Sequence, residues 1–217
     1  EMCIRDSTSD ELADVVREEY LEDRNIASGL ATDSTPNEPV GTIVRHRMPW
    51  LAAGLVGSTL AGLAVAQFED ALLEAAILAS FIPIVMAMAG NAGIQASQVT
   101  VSGLSTGTIW QGDRILRLGR EALGGLVNSL LIGGALGVVI VLAARVTDID
   151  RPIQLALTAL LALTVAMTLA VSLGATVPIG LHRLGVDPAV STGVFIAAAN
   201  DILGVSTFFV IASLVYL

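Results

Sequence analysis

Residues 189–217 read AVSTGVFIAAANDILGVSTFFVIASLVYL, and this stretch decides the fold class. It is apolar nearly end to end and carries a single charged side chain, Asp201. About 20 helical residues cross about 30 Å of hydrocarbon, so the stretch is long enough to span a bilayer. A carboxylate in the middle of such a span costs about 2.5–3.5 kcal/mol even on the lenient insertion scale. It therefore has to face water or protein and has to find a partner.

Four further apolar runs lie upstream, at about 49–67, 71–100, 121–144 and 153–179. The chain is 54% hydrophobic and 14% charged, against about 25% charged residues in an ordinary soluble domain. Of the twenty acidic residues, eleven precede Pro49. The expected architecture is all-α, a polytopic membrane protein with five transmembrane helices per subunit. Residues 1–48 form an acidic cytosolic segment and residues 49–217 the transmembrane domain. Within the first segment, residues 10–25 repeat Leu12, Val15, Val16 and Tyr20 at helical spacing and predict an amphipathic helix. Residues 28–41, rich in Gly, Pro, Ser and Asp, read as a linker. Pro49 is placed as an early residue of the first span, where its missing N–H costs nothing.

Charge sets the orientation. With the N-terminus inside, the inner segments hold Arg45, Arg47, Arg114, Arg117, Arg120 and Arg183, and the outer loops hold Arg145 and Arg151. That asymmetry satisfies the positive-inside rule and puts the C-terminus outside a plasma membrane. Glu69, Asp70 and Glu74 fall in an outer loop. Gly54, Ser58 and Gly62 on the first span, and Gly125, Ser129, Gly133 and Gly137 on the third, form four-residue stripes of small side chains that predict close helix contacts.

Several classes are excluded or disfavoured. The single cysteine, Cys3, gives neither a disulfide framework nor a cysteine-rich metal site. No phosphate-cradling glycine loop occurs, so nucleotide coupling is not expected. Nothing points to nucleic acid. An intramembrane enzyme needs a second catalytic group at depth, and His46 and His182 both flank inner span ends. The chain opens on Glu1 rather than Met, which reads as a truncated or processed terminus.

No arginine lies within a neighbouring turn of Asp201 or in the middle of any predicted span. A diffusible cation is the natural counter-charge; a protonated Asp hydrogen-bonded to another helix is the other reading. Mg2+ takes oxygen ligands, keeps several waters and is commonly held by one or two carboxylates. In a two-fold dimer, one Asp201 from each copy would converge on the axis. No intramembrane His or Cys selects zinc or copper; Mn2+, Co2+ and Ca2+ stay open. Asn200 adds an amide beside the carboxylate.

The second polar feature is GNAGIQ, residues 90–95, following Pro83. Pro83 is expected to free a backbone carbonyl at depth. Gly90 and Gly93 permit close approach or local unwinding, and Asn91, Gln95, Gln98 and Thr100 supply neutral oxygens. Pro83, Gly90, Asn91, Gly93 and Gln95 are read as pore-lining, because irregular backbone in a bilayer is tolerated where it lines a watery cavity. A helix end meeting the interface is the other reading.

The run FIPIVMAMAGNAGIQASQVTVSGL, 81–104, together with LGVDPAVSTGVFIAAANDILG, 184–204, resembles the membrane domain of the MgtE family of magnesium channels and transporters. The resemblance extends over about residues 46–217. It implies a homodimer with five spans per subunit, a pore on the two-fold axis lined by the second and fifth spans, and a carboxylate on the fifth span holding hydrated Mg2+. Asp201 matches that carboxylate, and Ala197, one turn earlier, matches a position whose backbone carbonyl faces the ion. Gly193 and Asn200 fall among the pore-lining positions. Gly193 and Val194 replace a small-or-Asn residue and a Pro, and Ala197 and Ala198 replace a pair of threonines. Whole family members carry acidic helical and CBS regulatory domains before the membrane part. Helix 10–25 resembles the end of the connecting region, and Glu18, Glu22 and Asp23 would then sense cytosolic Mg2+ as a regulatory ligand. The expected partners are a second copy, Mg2+, membrane lipid and regulatory domains outside this chain. The leading function is passive Mg2+ flow. The alternative is a secondary transporter coupled to H+ or Na+.

Overall fold

Five helices are long and apolar enough to cross a membrane. The computed structural model describes residues 9–28, 30, 37–109, 114–191 and 193–217, with backbone alone for 9–12, 19, 23, 114, 115 and 191. The helices are α1 (Ser9–Ala27), α2 (Val40–Ala66), α3 (Glu69–Glu74), α4 (Ile82–Ser105), α5 (Arg114–Ala143), α6 (Pro152–Arg183) and α7 (Val194–Val215). Short 3-10 turns, Ala76–Phe81 and Pro188–Ser191, lead into α4 and precede α7. No strand occurs among the described residues. The spans are α2, the turn plus α4, α5, α6 and α7, in agreement with the five predicted. In a bilayer this is the only open solution for a helical chain, because each backbone group must be paired within its own segment.

Helix α6 is the organising element. It is the most buried span and packs against α4, α5 and α7. At 32 residues it is about 48 Å long, well beyond the hydrocarbon thickness. Helix α2 is the least buried and leans on α7. The inner packing is dominated by Leu78, Val85, Leu155, Leu163, Val205, Phe208 and Phe209, all fully buried. Phe209 stacks on Phe68 at 4.9 Å and meets Phe208 edge-on at 5.3 Å. Offset and edge-to-face contacts of this kind add to area burial.

The predicted small-residue stripe on the third span holds. A Cβ on Gly125 would press on Val171, one on Gly133 would sit 2.9 Å from Leu160 Cδ1, and Gly137 lies beside Ala156. All three are contacts of α5 with α6. The stripe on the first span is displaced. Gly54 touches Val194, but the tight contact is Gly57 on Ala198, while Gly62 faces open space and Ser58 is exposed. The face of α2 that packs is the one carrying Gly57 and Ala61, the two buried residues of that helix.

One proline expectation is corrected and the other is located. Pro49 lies inside α2, which starts at Val40, so it removes one hydrogen bond from a continuing helix rather than opening it. Pro83 is in the first turn of α4, where no intrahelical N–H partner is needed. The irregularity lies before it, in the 3-10 turn.

At one end of the bundle the loop between α5 and α6 holds the end of α7. Arg151 Nη1 donates to the Tyr216 carbonyl at 3.0 Å, and Tyr216 Oη donates to the Asp150 carbonyl at 3.0 Å. Arg151 adopts φ 49°, uncommon for a residue with a Cβ.

Candidate ion site

The element that delivers Asp201 begins at Asp187. Its Oδ1 accepts from the Ala189 N–H at 2.8 Å, a local turn that Asp forms readily. The chain turns through Pro188–Ser191, and α7 starts at Val194 with Gly193 in the capping position. Gly193 O accepts the Ala197 N–H at 3.2 Å. Asp201 follows about 10 Å along the axis. Ala197 and Asp201, four apart, share a helix face, and both are half-buried.

Among the described residues, Asp201 has no hydrogen bond and no ion pair; the two ion pairs present are His46 with Glu38 and Arg117 with Glu121. No group of three metal-ligating side chains occurs among the described residues. Of the two carboxylates within the five spans, Glu121 lies near the start of α5 and pairs with Arg117, and Asp201 stands unpaired in α7.

Asn200 does not share that surface. It is 1% exposed and turns into the junction of α4, α6 and α7. Its Nδ2 donates to Ala89 O at 3.5 Å, and its Oδ1 is buried without a partner. The reason is helical geometry: consecutive residues point about 100° apart. Gly93 lies in the same junction, where a Cβ would collide with Asn200 Nδ2 and come within 3.2 Å of Ala170 O. Close approach at Gly93 is therefore required. Gly90 has open space around it, and no unwinding occurs there, since α4 is helical through Ser105.

Asn91 and Gln95 sit on the opposite side of α4. They line a cavity of about 540 Å³ between α4, α5 and α6, together with Glu121, Asn128 and Met167. Asn91, Gln95, Gln98 and Ser102 are all exposed and recur at helical spacing, so the free face of α4 is polar. Thr100, expected among the oxygen donors, is fully buried and donates to Ala96 O at 2.9 Å. Asn128 was the polar residue left unread, although an amide inside an apolar run is itself a signal.

A second cavity, about 550 Å³, lies at the end of the bundle clasped by Arg151. Glu74, Asp148, Asp150 and Tyr216 line it. At the amino-terminal side, α1 packs against the Pro188–Ser191 turn. Glu18 and Glu22 are exposed on α1, and the Asp23 side chain lies outside the described residues.

A helical bundle with five apolar spans and a lone half-buried carboxylate defines a multi-pass membrane protein. A family model described as MgtE, divalent cation transporter, matches residues 82–211, and the chain belongs to the MgtE family. Three proteins named magnesium transporter MgtE are similar to it. The one from Bacillus subtilis is 31% identical over 206 residues, the one from Enterococcus faecalis 30% over 210, and the one from Thermus thermophilus 24% over 213. Each alignment covers 95% of this chain but 44%, 44% and 45% of the respective relative. The chain spans less than half the length of these relatives.

Proposed function

We propose that the chain forms a dimeric pore through which Mg2+ crosses a membrane. The observation that carries this reading is the isolation of Asp201. A carboxylate at depth needs compensation, and neither an arginine nor a hydrogen-bond donor supplies it among the described residues. A bound cation does. Two copies related by a two-fold axis bring two carboxylates together, enough for an ion that retains most of its waters. The carbonyl of Ala197 lies one turn away on the same face.

Three further features support this reading. The exposed polar face of α4, with Asn91, Gln95 and Gln98, is unfavourable against lipid and suits a water-filled path. The acidic rim of Glu74, Asp148 and Asp150 raises the local cation concentration. The relatives bear the name magnesium transporter. Orientation follows the arginines, with the amino terminus cytosolic and the acidic rim outside a plasma membrane. A divalent ion then gains about 4.6 kcal/mol from a 100 mV inside-negative potential, two charges at about 2.3 each. No coupled ion is needed.

The test is flux into liposomes holding the purified chain and an indicator dye. Mg2+ entry should accelerate with an inside-negative potential and be inhibited by Mn2+ or Co2+. Entry that ignores the potential and ejects protons in fixed ratio would establish the exchanger instead.

A further inference from the structure

Asn200 is the one fully buried polar side chain of α7 among the described residues. The rest of the inward face of that helix is hydrocarbon or glycine: Ile196, Gly204, Val205 and Phe208 are buried there. Apolar contacts are non-directional and leave rotation of the helix weakly defined. A hydrogen bond is directional. The contact from Asn200 Nδ2 to Ala89 O is long, at 3.5 Å, and the close seat against Gly93 is what matches one rotational setting of α7 at the level of the neighbouring carboxylate. A Cβ on Gly174 would itself collide with the Gly93 carbonyl, so α4 and α6 meet at the same height. The seat is rigid on two sides.

An amide at this position carries a cost, since Oδ1 is buried and unpaired and an unmade bond is unfavourable. A leucine, branched alike but bulkier, would occupy the junction without that unpaired atom. From these observations we infer that Asn200 is a positioning residue for the ion site: it sets the rotation of α7 so that Asp201 and the Ala197 carbonyl present together on one face. The inference rests on Asp201 being the ion ligand proposed above. Asn200 touches no ion and acts through its neighbour.

The test uses the full chain in liposomes, with flux measured over a Mg2+ series. Asn200→Leu should retain maximal flux and raise the half-saturating Mg2+ concentration about tenfold, the low end for losing an outer-shell partner of a metal site. A purely structural role predicts lower maximal flux with unchanged half-saturation, which would overturn the inference. A second readout does not depend on transport. With Cys3→Ser and Ala197→Cys introduced, Asn200→Leu should change the rate at which a soluble thiol reagent modifies position 197; an unchanged rate overturns the inference equally. Asn200→Ser is the second arm if the leucine variant does not assemble, with the same two expectations. Asp201→Asn is measured alongside. Wild-type flux in that variant removes the ion site itself. Lost flux there, with unmoved half-saturation in Asn200→Leu, removes the positioning role alone.

Discussion

Gly93 of α4 and Asn200 of α7 are packed so closely that a methyl group on the glycine would occupy the place of the Asn200 amide nitrogen. This contact holds the ion-site helix against the helix with the exposed polar face. It also separates two glycines that look alike in the sequence.

Gly93→Ala should cost about 1–3 kcal/mol, the usual penalty for an extra methyl in a packed contact. Gly90→Ala meets open space and should be neutral or stabilising by up to about 1 kcal/mol through helix propensity. Thermal unfolding of the two variants in detergent checks this, and equal midpoints would contradict the close contact. Asn200→Ser in the Gly93→Ala background should return part of the loss. It removes the atom met by the new methyl, although Ile196 Cγ2 remains at 3.1 Å.

Gly174→Ala should be worse than Gly93→Ala and should not be relieved by Asn200→Ser. Its Cβ meets backbone, with the Gly93 carbonyl carbon at 3.0 Å and Ser97 N at 3.1 Å, and backbone cannot turn aside as a side chain can. The expected loss is at the upper end of about 1–3 kcal/mol. Recovery in the double variant would show that α6 can shift away from α4.

Tyr216→Phe removes the hydrogen bond to Asp150 O and should cost about 0.5–1.5 kcal/mol. Faster amide exchange should appear at the end of α7 and in the loop before α6, but not at the Gly93 junction. Exchange that rises evenly along α7 would show that the clasp stabilises the whole helix.

The number and order of the spans were legible because each is a long apolar run and backbone pairing in lipid leaves a helix no alternative. Asp201 was legible for the same reason, as a charge where charges are expensive. What was not legible is the direction in which side chains point. Asn200 and Asp201 are adjacent and both polar, yet one is sealed in a three-helix junction and the other lies half-open. Asn91 and Gly93, two residues apart, likewise fall on opposite sides of α4. Such assignments depend on which neighbour covers which face. Apolar residues surround α7 on nearly all sides, so hydrophobic period carries little information there, while the polar stripe of α4 recurs at helical spacing without naming the neighbour it faces. Pro49 was misplaced because the start of α2 lies in the polar-flanked residues 40–48, ahead of the apolar run.

Orientation is testable by labelling. In a Cys3→Ser background, a cysteine at exposed Asp148 should react with an impermeant thiol reagent from outside intact cells, and one at exposed Ser105 should react after permeabilisation. The reverse pattern would invert the topology read from the arginines.

The most direct test of the ion site is Asp201→Asn, which removes one negative charge with almost no change of shape. Dimer content and Mg2+ flux are measured on the same liposome preparation. The dimer should persist while flux falls to the level of empty vesicles. Flux equal to the unsubstituted chain, from an intact dimer, would contradict the account.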